Sequence, residues 1–110
     1  MVNVFKFLED LKAQRLVDIF PVDRGQINVA FYNDVKKITA WHRHKKQTDY
    51  VICLKGSFVV GLSRENHPVN SLLWAQEGLS DKNFRVLEIP QGVWHGWRPL
   101  ESGSILLYYM

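Results

Sequence analysis

The chain predicts an all-β domain of many short antiparallel strands, and three observations carry the prediction. Short apolar runs recur at near-regular spacing along the sequence, separated by Asn, Gly, Ser and Pro clusters. Apolar residues make up 46% of the chain and charged residues 23%, enough to pack a core and too few charges for a disordered chain. At 110 residues, with no repeat, low-complexity stretch or linker, the chain reads as one domain spanning residues 1–110.

The elements follow in order. Val4, Phe7, Leu8 and Leu11 share one face at helical spacing and Asn3 can cap, so a short amphipathic N-terminal helix is expected over residues 3–15. Arg15 to Phe20 and Gln26 to Tyr32 read as strands on either side of the turn-rich Pro21-Val22-Asp23-Arg24-Gly25. Val35 to His44 is the next strand. Tyr50 to Lys55 and Ser57 to Leu62 flank Gly56, which predicts a tight bend between them. Ser71 to Gln76, Phe84 to Ile89 and Ser104 to Met110 complete the set.

Several function classes are excluded at this level. No apolar run approaches the roughly 18 residues that span a bilayer. The opening Met-Val-Asn-Val-Phe-Lys-Phe-Leu-Glu-Asp lacks the basic, apolar and small-residue order of a secretion signal. Cys53 stands alone, so no internal disulfide is available and a cytoplasmic setting is expected. The net charge of +3 is mild and no nucleic-acid-binding motif occurs, so neither a nucleic acid nor a membrane is an expected partner. The most basic window is Arg43, Lys45 and Lys46. It reads either as a solvated strand end or as an electropositive rim for an anionic ligand such as a sugar diphosphate.

The chemistry sits in two stretches, Trp41-His42-Arg43-His44 with Asp49 and Gly56 after it, and Pro90-Gln91-Gly92-Val93-Trp94-His95. Along a strand, side chains alternate faces, so His42 and His44 are expected on one side and Trp41 and Arg43 on the other. Asp49 and His95 can complete a cluster. His42, His44, Asp49 and His95 together would offer three nitrogens and a carboxylate to a divalent transition metal such as iron, zinc, manganese or nickel. The same residues can work without a metal. An imidazole in an apolar barrel can take the proton next to a ketone, a tyrosine across the sugar can return one, and neighbouring groups can stabilise the enolate. An HxH pair, an acid, a glycine and a later PxGxxH resemble the double signature of the cupin jelly-roll β-barrel.

Ala40 through Asp49, then Leu54-Lys55-Gly56, Leu79-Ser80 through Asn83, Leu87-Glu88-Ile89-Pro90-Gln91-Gly92 and His95-Gly96-Trp97, resemble in order the dTDP-4-dehydrorhamnose 3,5-epimerase-like family of cupins. The resemblance covers about residues 38–110. It implies a jelly-roll homodimer acting without a cofactor on nucleotide-linked (dTDP-type) 4-keto sugars, with His42 as catalytic base and His95 lining the sugar pocket. Where the family's epimerases carry an arginine three residues before the base and a lysine two residues after the glutamine, this chain has Thr39 and Asp49.

The leading expectation is therefore a carbohydrate epimerase or isomerase with His42 as base and Tyr108 as acid; Tyr109 is the neighbouring candidate for the acid. His44, Arg43, Lys45, Gln47, Asp49, Trp94, His95 and Trp97 are the expected substrate-binding residues. Trp94 and Trp97 flank His95 and are placed to stack on a sugar or base, whereas Trp41 should point away from the pocket. Two alternatives stand beside it: the metal-dependent cupin with the His42, His44, Asp49, His95 set, and a non-catalytic sugar-binding or regulatory module. A homodimer is expected because a short barrel with exposed strand edges gains from pairing.

Overall fold

The computed structural model describes residues 3–5, 8–10, 15–17, 19–20, 25–63 and 75–110. Its strands are β1 (Asn3–Phe5), β2 (Leu8–Asp10), β3 (Arg15–Val17), β4 (Ile27–Tyr32), β5 (Thr39–His42), β6 (Asp49–Lys55), β7 (Ser57–Ser63), β8 (Ala75–Ser80), β9 (Val86–Ile89), β10 (Trp94–Pro99) and β11 (Ser104–Tyr109). They form a five-stranded sheet in the order β1-β9-β6-β11-β4, a four-stranded sheet in the order β5-β10-β7-β8, and a small β2-β3 pair. Every pairing is antiparallel. Two packed antiparallel sheets whose order departs this far from chain order make a cupin jelly roll.

The main core lies between the sheets. Val51, Cys53, Leu87, Ile89 and Leu106 point inward from one sheet and Phe58, Val60, Leu62, Leu79 and Trp97 from the other. In β7 the alternation is plain: Phe58, Val60 and Leu62 are fully buried while Val59 and Gly61 between them are not. Burying each such side chain stabilises the fold by about 1.5–3 kcal/mol. A second cluster of Tyr50, Ile52, Val86 and Tyr109 covers the outer face of the five-stranded sheet, capped by Ile19 and Phe20. With apolar side chains on both faces, β6 is buried over its first five residues, which explains why its sequence reads as a continuous run rather than an alternation.

The expected N-terminal helix does not form among the described residues. Asn3–Phe5 pairs with β9 as an edge strand and Leu8–Asp10 pairs with Arg15–Val17. Within a 3–15 window, pairing to an existing sheet overrides a marginal helical spacing of apolar residues. The turn at Pro21 to Arg24 and the segment 71–74 lie outside the described residues. The strand expected over Val35–His44 is shorter, Thr39–His42, and His44 lies past its end. The strand expected to end at Gln76 runs instead from Ala75 to Ser80. Beyond the N-terminal segment, β10 is the strand with no counterpart in the sequence reading.

Candidate active site

Two backbone features set the site. His95 on β10 is the register partner of His42 on β5, and Trp97 is the partner of Thr39, with an irregularity between the two pairs. The Pro90-Gln91-Gly92 turn is closed by Val93 N–H donating to Pro90 O at 3.3 Å, and Gly92 N–H donates to His44 O at 2.8 Å. Gly92 has φ +84°, a conformation glycine adopts without strain, so the PxG part of the motif fastens the β10 approach to the backbone of His44. Strand alternation therefore does not place His44. Its carbonyl, held by Gly92, and its ring, held by Asp49, do.

The result is a cavity of about 150 Å³ lined by Thr39, His42, His44, Asp49, His95, Trp97, Tyr108 and Met110. Asp49 is at its centre, 4% exposed. Its Oδ2 accepts from His44 Nδ1 at 2.8 Å and lies 3.1 Å from His95 Nε2. The His42 and His95 ring centroids are 6.4 Å apart, and those of His44 and His95 5.7 Å. His95 stacks on Trp97 at 6.1 Å with an interplanar angle of 20°. Trp97 in turn contacts Tyr108 at 5.3 Å and donates from Nε1 to the Tyr32 hydroxyl at 2.7 Å, which shares a 2.6 Å hydrogen bond with Thr39 Oγ1. Tyr32, Thr39 and Trp97 thus brace one wall.

Of the site residues expected from sequence, His42, His44, Asp49, His95, Trp97 and Tyr108 line one cavity. Tyr109 faces the opposite side of its sheet, against Phe20 and Tyr50. Arg43 and Trp94 do not line the cavity; the guanidinium lies over the indole, 4.7 Å from its centroid. Lys45 and Gln47 are exposed and are also outside the lining. Trp41 points away, into a shallow groove of about 160 Å³ on the outer side of the four-stranded sheet. Sequence reasoning missed Thr39 and Met110 as lining residues and Tyr32 as the brace behind them. A period-two count back from His42 reaches Ala40 rather than Thr39, because the β5-β10 register is irregular between their pairs, and nothing in the sequence marks Met110.

For a metal, the described residues offer His44, Asp49 and His95, whose ligand atoms lie within 4.8 Å of one another. His42 stands outside that set, so the four-ligand arrangement expected from sequence narrows to two imidazoles and one carboxylate. That donor type suits a divalent transition metal, and Asp49 Oδ1 is buried without a hydrogen-bond partner, so the residues present fit such an ion.

No family model matches the chain. A probable low-salt glycan biosynthesis epimerase of Haloferax volcanii is 34% identical over 76 residues, 66% of this chain and 48% of that protein. The chain thus spans about half the length of the curated relative it matches. Among solved structures, the QdtA 3,4-ketoisomerase of Thermoanaerobacterium thermosaccharolyticum in complex with TDP superposes with a TM-score of 0.76 at 23% identity. That superposition covers 98% of this chain and 78% of the other. The fold is that of the TDP-sugar ketoisomerases and epimerases. The dTDP-4-dehydrorhamnose 3,5-epimerase of Bacillus anthracis, with TDP and PPi bound, gives a TM-score of 0.65 at 23% identity over 76% of this chain and 50% of its own. The TDP-quinovose 3,4-ketoisomerase of Campylobacter jejuni gives 0.75 at 16% identity, over 98% of this chain and 82% of its own. The similarity extends over nearly the whole chain for the ketoisomerases and over three quarters for the epimerase.

Proposed function

We propose that this chain acts on a TDP-type nucleotide-linked keto sugar and moves a proton at a carbon beside the carbonyl. The observation that carries the reading is the gathering of His42, His44, His95, Asp49 and Tyr108 around one cavity in a fold shared with TDP-bound ketoisomerases and epimerases. Loss of a proton next to a ketone leaves an enolate, which needs a base of suitable strength, a group to return the proton and polar contacts for the oxygen. His42 is the proposed base: it lines the cavity, and none of its ring nitrogens is hydrogen-bonded by a described residue. Tyr108, across the cavity on the other sheet, is the proposed acid. Lys45 and Lys46 lie exposed just beyond His44 and supply positive charge at the rim for a diphosphate.

Solvent deuterium exchange into TDP-4-keto-6-deoxyglucose tests this reading. Wild type should incorporate deuterium at a carbon adjacent to the ketone, and His42→Ala should slow incorporation by about 10²–10⁴-fold. Equal background rates for both proteins would sink it, and a thermal shift with TDP in that case would favour the non-catalytic binding module.

One observation favours a second reading. The His44, Asp49 and His95 donor atoms are close enough to share a divalent ion, which would supply Lewis-acid polarisation of a substrate oxygen. Less than a tenth of an equivalent of any transition metal, after preparation with added metal, removes this reading.

A further inference from the structure

We infer that Met110 is the specificity-determining residue by which the cavity reads the group on carbon 5 of the sugar, accepting a methyl and disfavouring a hydroxymethyl. The inference rests on the keto-sugar reading for its class of ligand. Met110 follows β11 and is half-buried in the cavity lining. It continues the alternation of the strand, so its side chain shares the inner face with Tyr108 two residues before it.

The backbone of Met110 is fixed on both sides. Its N–H donates to Gln26 O at 3.1 Å, and Gln26 N–H donates to Met110 O at 2.8 Å. These two bonds extend the β4-β11 ladder one pair beyond Tyr109 and Ile27. A Cβ at Gly25 would lie 2.5 Å from the Met110 carbonyl oxygen and 2.8 Å from the Tyr109 ring, so a residue without one is needed for this closure. The fold therefore holds Met110 at the cavity wall.

Its chemistry differs from that of its neighbours. Thr39, His42, His44, Asp49, His95 and Tyr108 bring polar atoms to the lining, and Trp97 brings an indole that stacks on His95. Met110 alone among the lining residues offers an unbranched aliphatic chain, with a thioether that accepts weakly and donates nothing. A hexose presents hydroxyls from most of its carbons, whereas a 6-deoxy sugar carries one apolar group, the methyl on carbon 5. That methyl matches Met110, and the ring oxygens match the rest of the wall. A hydroxymethyl in the same place would exchange a hydrogen bond to water for contact with a thioether. Carbon 5 also adjoins the ketone carbon of a 4-keto sugar. A methyl seated on Met110 thus keeps the reacting carbons beside Tyr108, whose Cα is about 7 Å back along the strand.

Calorimetric titration of the full chain with TDP-6-deoxyglucose and with TDP-glucose tests the inference, because the two differ only in that hydroxyl and neither is a ketone. The wild type should bind the 6-deoxy compound about 10–100-fold more tightly. Met110→Gln, similar in size but polar, should bring the two Kd values to within about threefold of each other, and Met110→Leu should keep the preference. Met110→Ala, which withdraws the contact without adding a polar group, should weaken binding of the 6-deoxy compound about tenfold and that of TDP-glucose less, and it serves alone should Met110→Gln not fold. Equal Kd values in the wild type, or a preference that survives Met110→Ala, overturn the inference. A wild type that prefers the 6-deoxy compound yet gives no deuterium exchange into TDP-4-keto-6-deoxyglucose removes the proton-transfer reading and leaves the methyl recognition standing. Binding of neither compound overturns both.

Discussion

The side chains of the cavity act through contacts that a single substitution can separate. Tyr108 reaches the cavity while its neighbour Tyr109 is buried against Phe20 and Tyr50 on the far side of the sheet. Tyr108→Phe should therefore reduce deuterium exchange at least tenfold, whereas Tyr109→Phe should leave it within about twofold; matched rates for the two would reassign the acid. Cys53 shows the opposite kind of residue. Buried in the main core, with Sγ donating to Lys55 O at 3.2 Å, its thiol is pushed up from 9.0 to about 11, first by burial and then by the charge of Asp81. A thiol with a raised folded-state pKa stabilises the fold fully below its unfolded value and loses that contribution as pH rises through the folded one. Unfolding free energy should accordingly fall by roughly 2–3 kcal/mol between about pH 9 and pH 11, and Cys53→Ala should flatten the decline. Tyr50, raised by burial and by Glu88, adds to the decline in the same direction. Denaturant melts across that range check both. The histidines and Asp49 were legible because two short motifs carry them, one on each partner of the β5-β10 pair. The roles of Arg43 and Trp94 were not, because the guanidinium of Arg43, past the end of β5, lies over the Trp94 indole instead of in the cavity.

At the scale of elements, β10 does most to build the site and was the strand the sequence concealed. Gly96, Arg98 and Pro99 interrupt any apolar alternation in Trp94–Pro99, so the segment reads as a continuation of the Pro-Gly turn. The structure explains the glycine: a Cβ at Gly96 would lie 2.7 Å from Ala40 Cβ and 2.8 Å from Thr39 O. Only a bare Cα lets β5 approach closely enough for His42 and His95 to share a cavity. Gly96→Ala should cost about 1–3 kcal/mol and lower the melting temperature, while also loosening ligand binding. Gly78→Ala, on β8 at the other edge of the same sheet with nothing near the added methyl, is the control and should change stability by less than about 0.5 kcal/mol. A Gly96→Ala variant as stable as the control would contradict the close-approach account. By contrast, Gln26–Tyr32, Tyr50–Lys55, Ser57–Leu62 and Ser104–Met110 were readable to within a residue, because each is a continuous β-favouring run with a turn residue at its ends. The N-terminal reading failed for a physical reason: a few apolar residues at helical spacing gain little alone, and a free sheet edge beside β9 offers them more.

Over the whole molecule, the two sheets divide the labour. The four-stranded sheet supplies His42, His95 and Trp97, the five-stranded sheet supplies Asp49 and Tyr108, and the core between them holds the groups in register. The outer face of β4 keeps Ile27, Val29 and Phe31 exposed at 61%, 47% and 68%, on a strand whose far edge is unpaired among the described residues. The expected homodimer would cover this strip, so the chain should sediment at about twice 12.9 kDa and Phe31→Lys should shift it towards the monomer. A wild type sedimenting at 12.9 kDa would contradict that expectation. The molecule's central claim is chemical, however, and solvent deuterium exchange tests it most directly. Incubated in heavy water with TDP-4-keto-6-deoxyglucose, the wild type should place deuterium beside the ketone at a rate that His42→Ala lowers by two to four orders of magnitude. Incorporation no faster than in the protein-free control, or unchanged by His42→Ala, would contradict it.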